Sequence, residues 1–289
     1  MDIGGLLNYL CGVVMKILRV FPRLTSMTPL DGIIGLPDLW RPKADEVHIS
    51  VAFTWDIEYA KHMKKNWEVY YPVVKIGGPA FGDPGGNFEA GKYLEKGCVI
   101  TSRGCPNNCS FCLVPKREGK IRELPIVEGN IIQDNNLLAC SKSHIDKVFQ
   151  MLSKQKRVDF AGGFESARVT DQIVQKLRGL KLYQLWLAYD HPNAEKPLIR
   201  AVDKLRKYFS RDKIRCYVLI GYNDDTIEKA EHRLRRAWEI GTLPFAMLYR
   251  DEKNTEHSKD WKQFQRKWTR PAIIKSMDKL LDNNKLKED

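Results

Sequence analysis

The chain has 289 residues, 43% of them hydrophobic and 29% charged, with 48 lysines and arginines against 36 aspartates and glutamates. It is long and apolar enough to bury a core, which excludes a disordered chain. The net charge of +12 favours an anionic partner: nucleic acid, an anionic substrate or an acidic electron-transfer protein. Of its seven cysteines, Cys11, Cys98, Cys140 and Cys216 stand alone. That is no disulfide framework, and a reducing, cytoplasmic compartment is expected.

Residues 1–14 open the chain with an apolar run preceded only by Asp2. The run from Ile3 to Met15 is about half of the ~20 residues that span a bilayer, and it lacks the positive flank of a signal peptide. A leader outside the fold or a docked amphipathic turn is expected there, rather than a membrane anchor. Residues 15–94 then read as a small α/β unit. A strand begins at Lys16, and "EVHISVAFTW" alternates, with Val47, Ile49, Val51 and Phe53 on one face and His48 on the other. "DIEYAKHMKKNWEVY" has helical spacing, "YPVVKIGG" is a second strand of a βαβ unit, and "GDPGG" is a loop or linker.

From 95 to 250 the pattern settles into strand, loop and helix, repeated. "CVIT", "NIIQ", "RVDF", "YQLWLAY", "CYVLI" and "PFAMLY" read as six short strands, apolar enough for burial on both faces of a parallel sheet. "SHIDKVFQML" lines up Ile145, Val148, Phe149 and Leu152 as one helical stripe, with Ser143 as its N-cap. "DDTIEKAEHRLRRAWEIG" does the same with Ile227, Ala230, Leu234 and Trp238, and stops at Gly241. The expected class is α/β, a partial barrel of six units preceded by a small Rossmann-like unit. Residues 251–289 read as a helical extension whose Trp261, Phe264, Trp268 and Ile273 form a core stripe closing the sheet edge.

The chemistry concentrates in "ITSRGCPNNCSFCLVPKREG". Cys105, Cys109 and Cys112 crowd eight residues just past a strand, so they are expected to share a metal group. Zinc calls for four ligands, typically as two separated pairs, and no second pair follows. A zinc site completed by Cys98, Cys140 or His144 is the bland alternative. An iron–sulfur cluster on three cysteines fits better and leaves one iron open to a cofactor or substrate.

"CPNNCSFC" resembles the cluster motif of the radical S-adenosylmethionine (radical SAM) superfamily, with three cysteines spaced CX3CX2C and an aromatic residue, here Phe111, before the last. The resemblance covers about Gly97 to Tyr249, where the strand–helix alternation is similar to that superfamily's partial six-unit barrel. It implies a 4Fe–4S cluster on Cys105, Cys109 and Cys112, with SAM chelated at the open iron and cleaved by one electron to a 5′-deoxyadenosyl radical that abstracts hydrogen from a substrate. The protein's part in such chemistry is positioning and electrostatics. The SAM ammonium would need an acceptor, offered either by Asp134, Asn135 and Asn136 or by Gly162, Gly163 and Glu165, which resemble a displaced Gly-Gly-Glu motif. Arg168 is the candidate for the SAM carboxylate, and Gly221 resembles the glycine over which adenine packs. Residues 15–94 look like a shortened cobalamin domain lacking the Asp-x-His-x-x-Gly loop, so cobalamin is not expected.

No second set of clustered cysteines follows, which disfavours sulfur insertion. Cys140 is a candidate hydrogen-atom donor or substrate tether. Asp190, His191 and Asn193 end the fourth strand of the six and are candidates for substrate recognition. The basic "VPKREGKIRE" is either a solvated loop or a dock for an acidic electron donor such as a flavodoxin or ferredoxin, or for an anionic substrate. An iron–sulfur electron carrier and a zinc-stabilised nucleic-acid-binding protein remain as alternative functions. The residues do not name the substrate.

Overall fold

The computed structural model describes residues 15–82, 88–251 and 256–276. The expected leader, most of the GDPGG turn and the end of the C-terminal extension lie outside the described residues. The chain divides into two compact units, residues 1–95 and 96–289.

In the first unit, strands β1 (Ile17–Phe21), β2 (Ile33–Ile34), β3 (Glu46–Ser50) and β4 (Val74–Gly77) form a parallel sheet ordered β2-β1-β3-β4. Helix α1 (Ile57–Trp67) connects β3 to β4. The alternation read from β3 holds, with Val47 and Ile49 buried. His48 lies on the other face, hydrogen-bonded to Tyr93 Oη and the Glu46 carboxylate. Ala60, Met63 and Trp67 recur at helical spacing and bury α1 among Leu18, Val20, Val47, Ile49 and Val74. Trp67 is fully buried, and its indole N–H donates to Gly35 O at 3.1 Å.

The strand order reverses between β1 and β3, the place where open parallel sheets bind ligands beyond their carboxyl ends. Here Arg23, from the loop after β1, forks onto the buried carboxylate of Asp56 at the start of α1. The positive end of the helix dipole therefore meets an internal anion.

The second unit carries six parallel strands: β5 (Cys98–Val99), β8 (Ile131–Ile132), β9 (Val158–Phe160), β10 (Leu182–Ala188), β11 (Ile214–Ile220) and β12 (Leu243–Leu248). They stand side by side in sequence order with no reversal. Helices α3 (Lys142–Ser153), α4 (Asp171–Arg178), α5 (Glu195–Arg206) and α6 (Ile227–Ile240) link successive strands from β8 to β12. Between β5 and β8 the chain inserts an antiparallel pair, β6 (Ser102–Arg103) and β7 (Arg122–Glu123), with the short helix α2 (Val114–Arg117) between its strands. Pro244 is tolerated in β12 because that strand is at the sheet edge. Helix α7 (Lys259–Trp268) packs on β12 with Phe264 and Trp268 buried, and Gln265 donates to Ala246 O.

Two local expectations change. The N-cap of α3 is Ser141, whose hydroxyl accepts from His144 N; Ser143 lies inside the helix. The reason is tertiary, because Glu123 takes the Ser141 backbone N–H at 2.7 Å and fixes the chain there. The sheet is also not uniformly apolar. One face of β10, β11 and β12, with Leu185, Leu187, Cys216, Val218, Ile220 and Ala246, is fully buried. The opposite face carries Gln184, Trp186, Arg215, Tyr217, Phe245 and Met247 and is partly open. Helix α6 ends as expected, with Gly241 at φ 108°.

Replacing Trp67 by alanine removes the largest side chain of the first core and should cost about 3–5 kcal/mol. Urea denaturation followed by far-ultraviolet dichroism tests this; a midpoint unchanged from the parent would contradict the packing described.

Candidate functional site

The carboxyl end of the six-stranded sheet is organised around Asp134, just past β8. Its carboxylate is almost wholly buried and accepts from Thr101 N (2.6 Å), Thr101 Oγ1 (2.6 Å) and Ser102 Oγ (2.7 Å). Burial pushes the Asp134 carboxyl up, and these hydrogen bonds oppose that push. The next residue, Asn135, accepts from Gly104 N at 3.0 Å. Gly104 has φ 82°, and a β-carbon there would lie 2.2 Å from Lys120 O, so glycine is required where the chain turns into the cysteine loop. Asp134 and Asn135, both candidates for cofactor contact, thus have their side chains committed to holding that loop.

The loop carries Cys105, Cys109 and Cys112, all half-buried, with a turn from Cys112 N to Cys109 O. Burial pushes the Cys109 and Cys112 thiols up, and the charges of the neighbouring cysteines and of Asp190 push the same way. Asn136 meets this loop: its amide donates to Cys105 Sγ at 3.5 Å and to Glu165 Oε2 at 2.8 Å. Its Oδ1 is buried with no hydrogen-bond partner among the described residues. Glu165 arrives from beyond β9, and Arg168 Nε donates to the same Oε2 at 2.7 Å. Burial would raise the Glu165 carboxyl, but hydrogen bonds from Asn136, Arg168 and Asn107 hold it below the usual range. The two rival sources of an ammonium acceptor, the Asp-Asn-Asn run and Glu165, therefore converge at one point. Asn107, between the first two cysteines, gave no signal in the sequence.

Gly162 and Gly163 have different roles. A β-carbon on Gly162 would sit 2.1 Å from Asp134 O, so this glycine lets the ends of β8 and β9 approach. Gly163 has φ 92° and makes the turn that brings Glu165 round. Phe111 packs edge-on against Tyr222, with ring centroids 5.8 Å apart, and Tyr222 packs against Tyr249 at 4.7 Å. These tyrosines follow β11 and β12 and were missed in the sequence; their position just past strand ends was the available signal. Gly221 has φ 71°, and the place of its missing β-carbon abuts Leu248 and His257.

Asp190 lies within electrostatic reach of Cys109 and Cys112. Burial pushes its carboxyl up to about 6, against the pull of the Leu219 amide and Arg233. His191 and Asn193 are exposed. Arg117 and Arg122 of the basic segment, with Arg103 of β6, surround the buried carboxylate of Glu118, while Lys116 and Lys120 face solvent. The segment is thus an ordered basic patch beside the cysteines.

Cys140 and His144 belong to the Asp134 network. Cys140 is hydrogen-bonded to the Ser102 side chain, and His144 Nε2 is 3.3 Å from Thr101 Oγ1. Cys98 is buried within β5. Among the described residues, no three histidine, cysteine, aspartate or glutamate side chains stand close enough to hold one metal ion. Ligands of a single tetrahedral ion with about 2.3 Å bonds would lie about 4 Å apart, whereas cysteines of a cluster each take a separate iron and stand farther apart. No helix among the described residues is long and apolar enough to cross a membrane.

No protein-family model and no curated protein matches the sequence.

Two outcomes follow from this geometry. Gly162→Ala must push β8 and β9 apart and should cost about 1–3 kcal/mol, read as a lowered Tm. Burial sets the Cys140 thiol at about 11, so it stays protonated at neutral pH. Its alkylation by iodoacetamide, mapped by mass spectrometry, should accelerate about tenfold per pH unit between pH 7 and 10; a rate independent of pH would contradict the assignment.

Proposed function

We propose that this chain is a radical SAM enzyme. The observation that carries the reading is the meeting of Cys105, Asn136 and Glu165 at the carboxyl end of six consecutive parallel strands. Six parallel strands in sequence order are also what a partial (β/α)6 barrel requires, and that finer architecture is part of the proposal.

The donor set fits a 4Fe–4S cluster. Three thiols share one loop, and burial, reinforced by their neighbours' negative charge, raises two of them, a penalty that binding iron as thiolates would offset. Cys105, Cys109 and Cys112 would hold three irons and leave the fourth for SAM. When bound, such a cluster supplies the electron that splits SAM into methionine and a 5′-deoxyadenosyl radical, which takes a hydrogen atom from the substrate.

The chain's own residues divide the remaining work. Glu165 is kept ionised and accepts the SAM ammonium, with the unpartnered Oδ1 of Asn136 as a second acceptor. Arg168 lies beside Glu165 for the SAM carboxylate. Asp134 and Asn135 fix the loop and touch no ligand. Phe111, Tyr222 and Tyr249 wall the site and exclude water. Gly221 would be the residue over which adenine packs, its backbone face free of a side chain because Leu248 and His257 fill the place of a β-carbon. Asp190, near the cysteines, is the substrate-facing group of the β10 end; His191 and Asn193 serve only at the rim. Cys140, a protonated thiol in the Asp134 network, has a structural role. The patch of Arg103, Arg117, Arg122, Lys116 and Lys120 suits an acidic electron donor such as a flavodoxin or ferredoxin. A simple electron carrier would have no use for a carboxylate–amide pair beside its cysteines.

The test is SAM cleavage. The protein is reconstituted anaerobically with iron and sulfide, incubated with dithionite and SAM, and the 5′-deoxyadenosine quantified. The intact chain should produce it and Cys109→Ala should not. Equal product from both, or a colourless protein that takes up zinc but no iron, would overturn the reading.

A further inference from the structure

The partly open face of the six-stranded sheet is unusual, because parallel sheets are normally apolar and covered on both sides. Three neighbouring strands place polar atoms there with nothing to bind. Asp159 on β9 is 9% exposed and Trp186 on β10 is 8% exposed, yet Asp159 Oδ1 and Trp186 Nε1 have no hydrogen-bond partner among the described residues. On β11, Arg215 Nε is buried and equally unpartnered. A buried polar atom without a partner costs about 1–3 kcal/mol, so three together on one face are a reserve of unmet bonding.

Their charges are opposite, and they do not satisfy each other. The other oxygen of Asp159 takes one hydrogen bond from Gln184 Nε2 at 2.9 Å. The Arg215 guanidinium lies over the Trp186 ring, 4.8 Å from its centroid. Register sets Asp159 against Gln184 and Trp186 against Arg215, so β10 separates the anion from the cation. Burial pushes the Asp159 carboxyl up and the Arg215 pKa down, and it outweighs the Gln184 hydrogen bond and the more distant charges of Arg157 and Arg215 on Asp159 and of Asp212 and Asp159 on Arg215. Next to them the face turns aromatic. Trp186 stacks on Tyr217 at 4.1 Å, Phe245 stands edge-on to Tyr217 at 5.9 Å, and Met247 beyond is exposed.

We propose that this face binds a free amino acid with an apolar side chain, its ammonium on Asp159 and its carboxylate on Arg215 and Trp186 Nε1. A zwitterion answers both charges at once. A neutral heterocycle would leave each buried charge without a counter-ion, and a simple anion or cation would answer one and leave the other. The apolar side chain of the ligand lies along Tyr217, Phe245 and Met247. The amino acid is the substrate class of the radical chemistry proposed above and rests on that reading for its reaction, but its binding needs neither cluster nor SAM.

The experiment is isothermal titration of the full chain with L-phenylalanine and L-leucine, against phenylpropionate, which lacks the ammonium, and phenethylamine, which lacks the carboxylate. The amino acids should bind at least about tenfold more tightly than either truncated analogue, the scale of one charge-assisted hydrogen bond. Asp159→Asn should abolish the preference over phenylpropionate and Arg215→Gln the preference over phenethylamine. Each variant is first checked for an unchanged melting profile; if one fails to fold, Trp186→Phe, which removes only the indole donor, should weaken both amino acids and spare phenethylamine. Equal binding of zwitterions and analogues, or no binding, would overturn the proposal. So would competition by SAM, whose methionine end carries the same two charges and would assign this face to the cofactor. Amino-acid binding without SAM cleavage would leave this site standing and remove the radical chemistry; cleavage without amino-acid binding would do the reverse.

Discussion

One buried carboxylate governs the geometry of the second unit. Asp134 accepts three hydrogen bonds from Thr101 and Ser102, residues more than thirty positions earlier, and so ties the end of β8 to the point where β5 gives way to the cysteine loop. Gly162 must then be glycine, because β9 presses its backbone against Asp134. Asn135 carries the tie forward to Gly104 and Asn136 carries it to Cys105. Three consecutive residues thus perform three separate tasks: anchoring, steering and contact. An isolated buried carboxylate is costly, but one that accepts this many hydrogen bonds is held in a single geometry.

That division of labour explains how much of the site could be read in advance. The three cysteines and Phe111 were legible because fixed spacing within one loop survives any folding. The six main strands were legible from short apolar runs, and α6 from its stripe and terminal glycine. Asp134 was not, since a polar residue at a strand end reads the same whether it faces a ligand or a neighbouring backbone. The choice between the Asp-Asn-Asn run and Glu165 had the same origin: they lie about thirty residues apart, and only folding shows that Asn136 and Glu165 touch. β6 and β7 are two-residue polar strands made by pairing alone, and β2, the pair Ile33–Ile34, is too short to show an alternation. Gln184 and Arg215 interrupt apolar runs, and those polar positions mark the sheet face that is not simply core.

The two units use parallel sheets differently. The first reverses its strand order, and the crevice so created is met by Arg23 on Asp56, with no histidine loop. The second never reverses, so its candidate site residues stand along one row of strand ends, from the cysteine loop past Glu165 and Asp190 to Tyr222 and Tyr249. Charge follows the same division. Around the cysteines the acidic Glu165 and Asp190 are joined by Arg168, which pairs with Glu165, whereas the arginines of the adjoining segment are gathered on Glu118.

The tie between Asp134 and the cysteine loop also bears on how the protein matures. In small zinc domains the metal supplies the folding energy, and the metal-free chain is a random coil. Here the loop is closed at both ends by contacts that involve no metal: Gly104 on Asn135 at its start, and Cys105 N on Gly119 O across its base. Its shape is therefore inherited from the sheet. Assembly of any metal group there would begin on a scaffold that the sheet has already shaped.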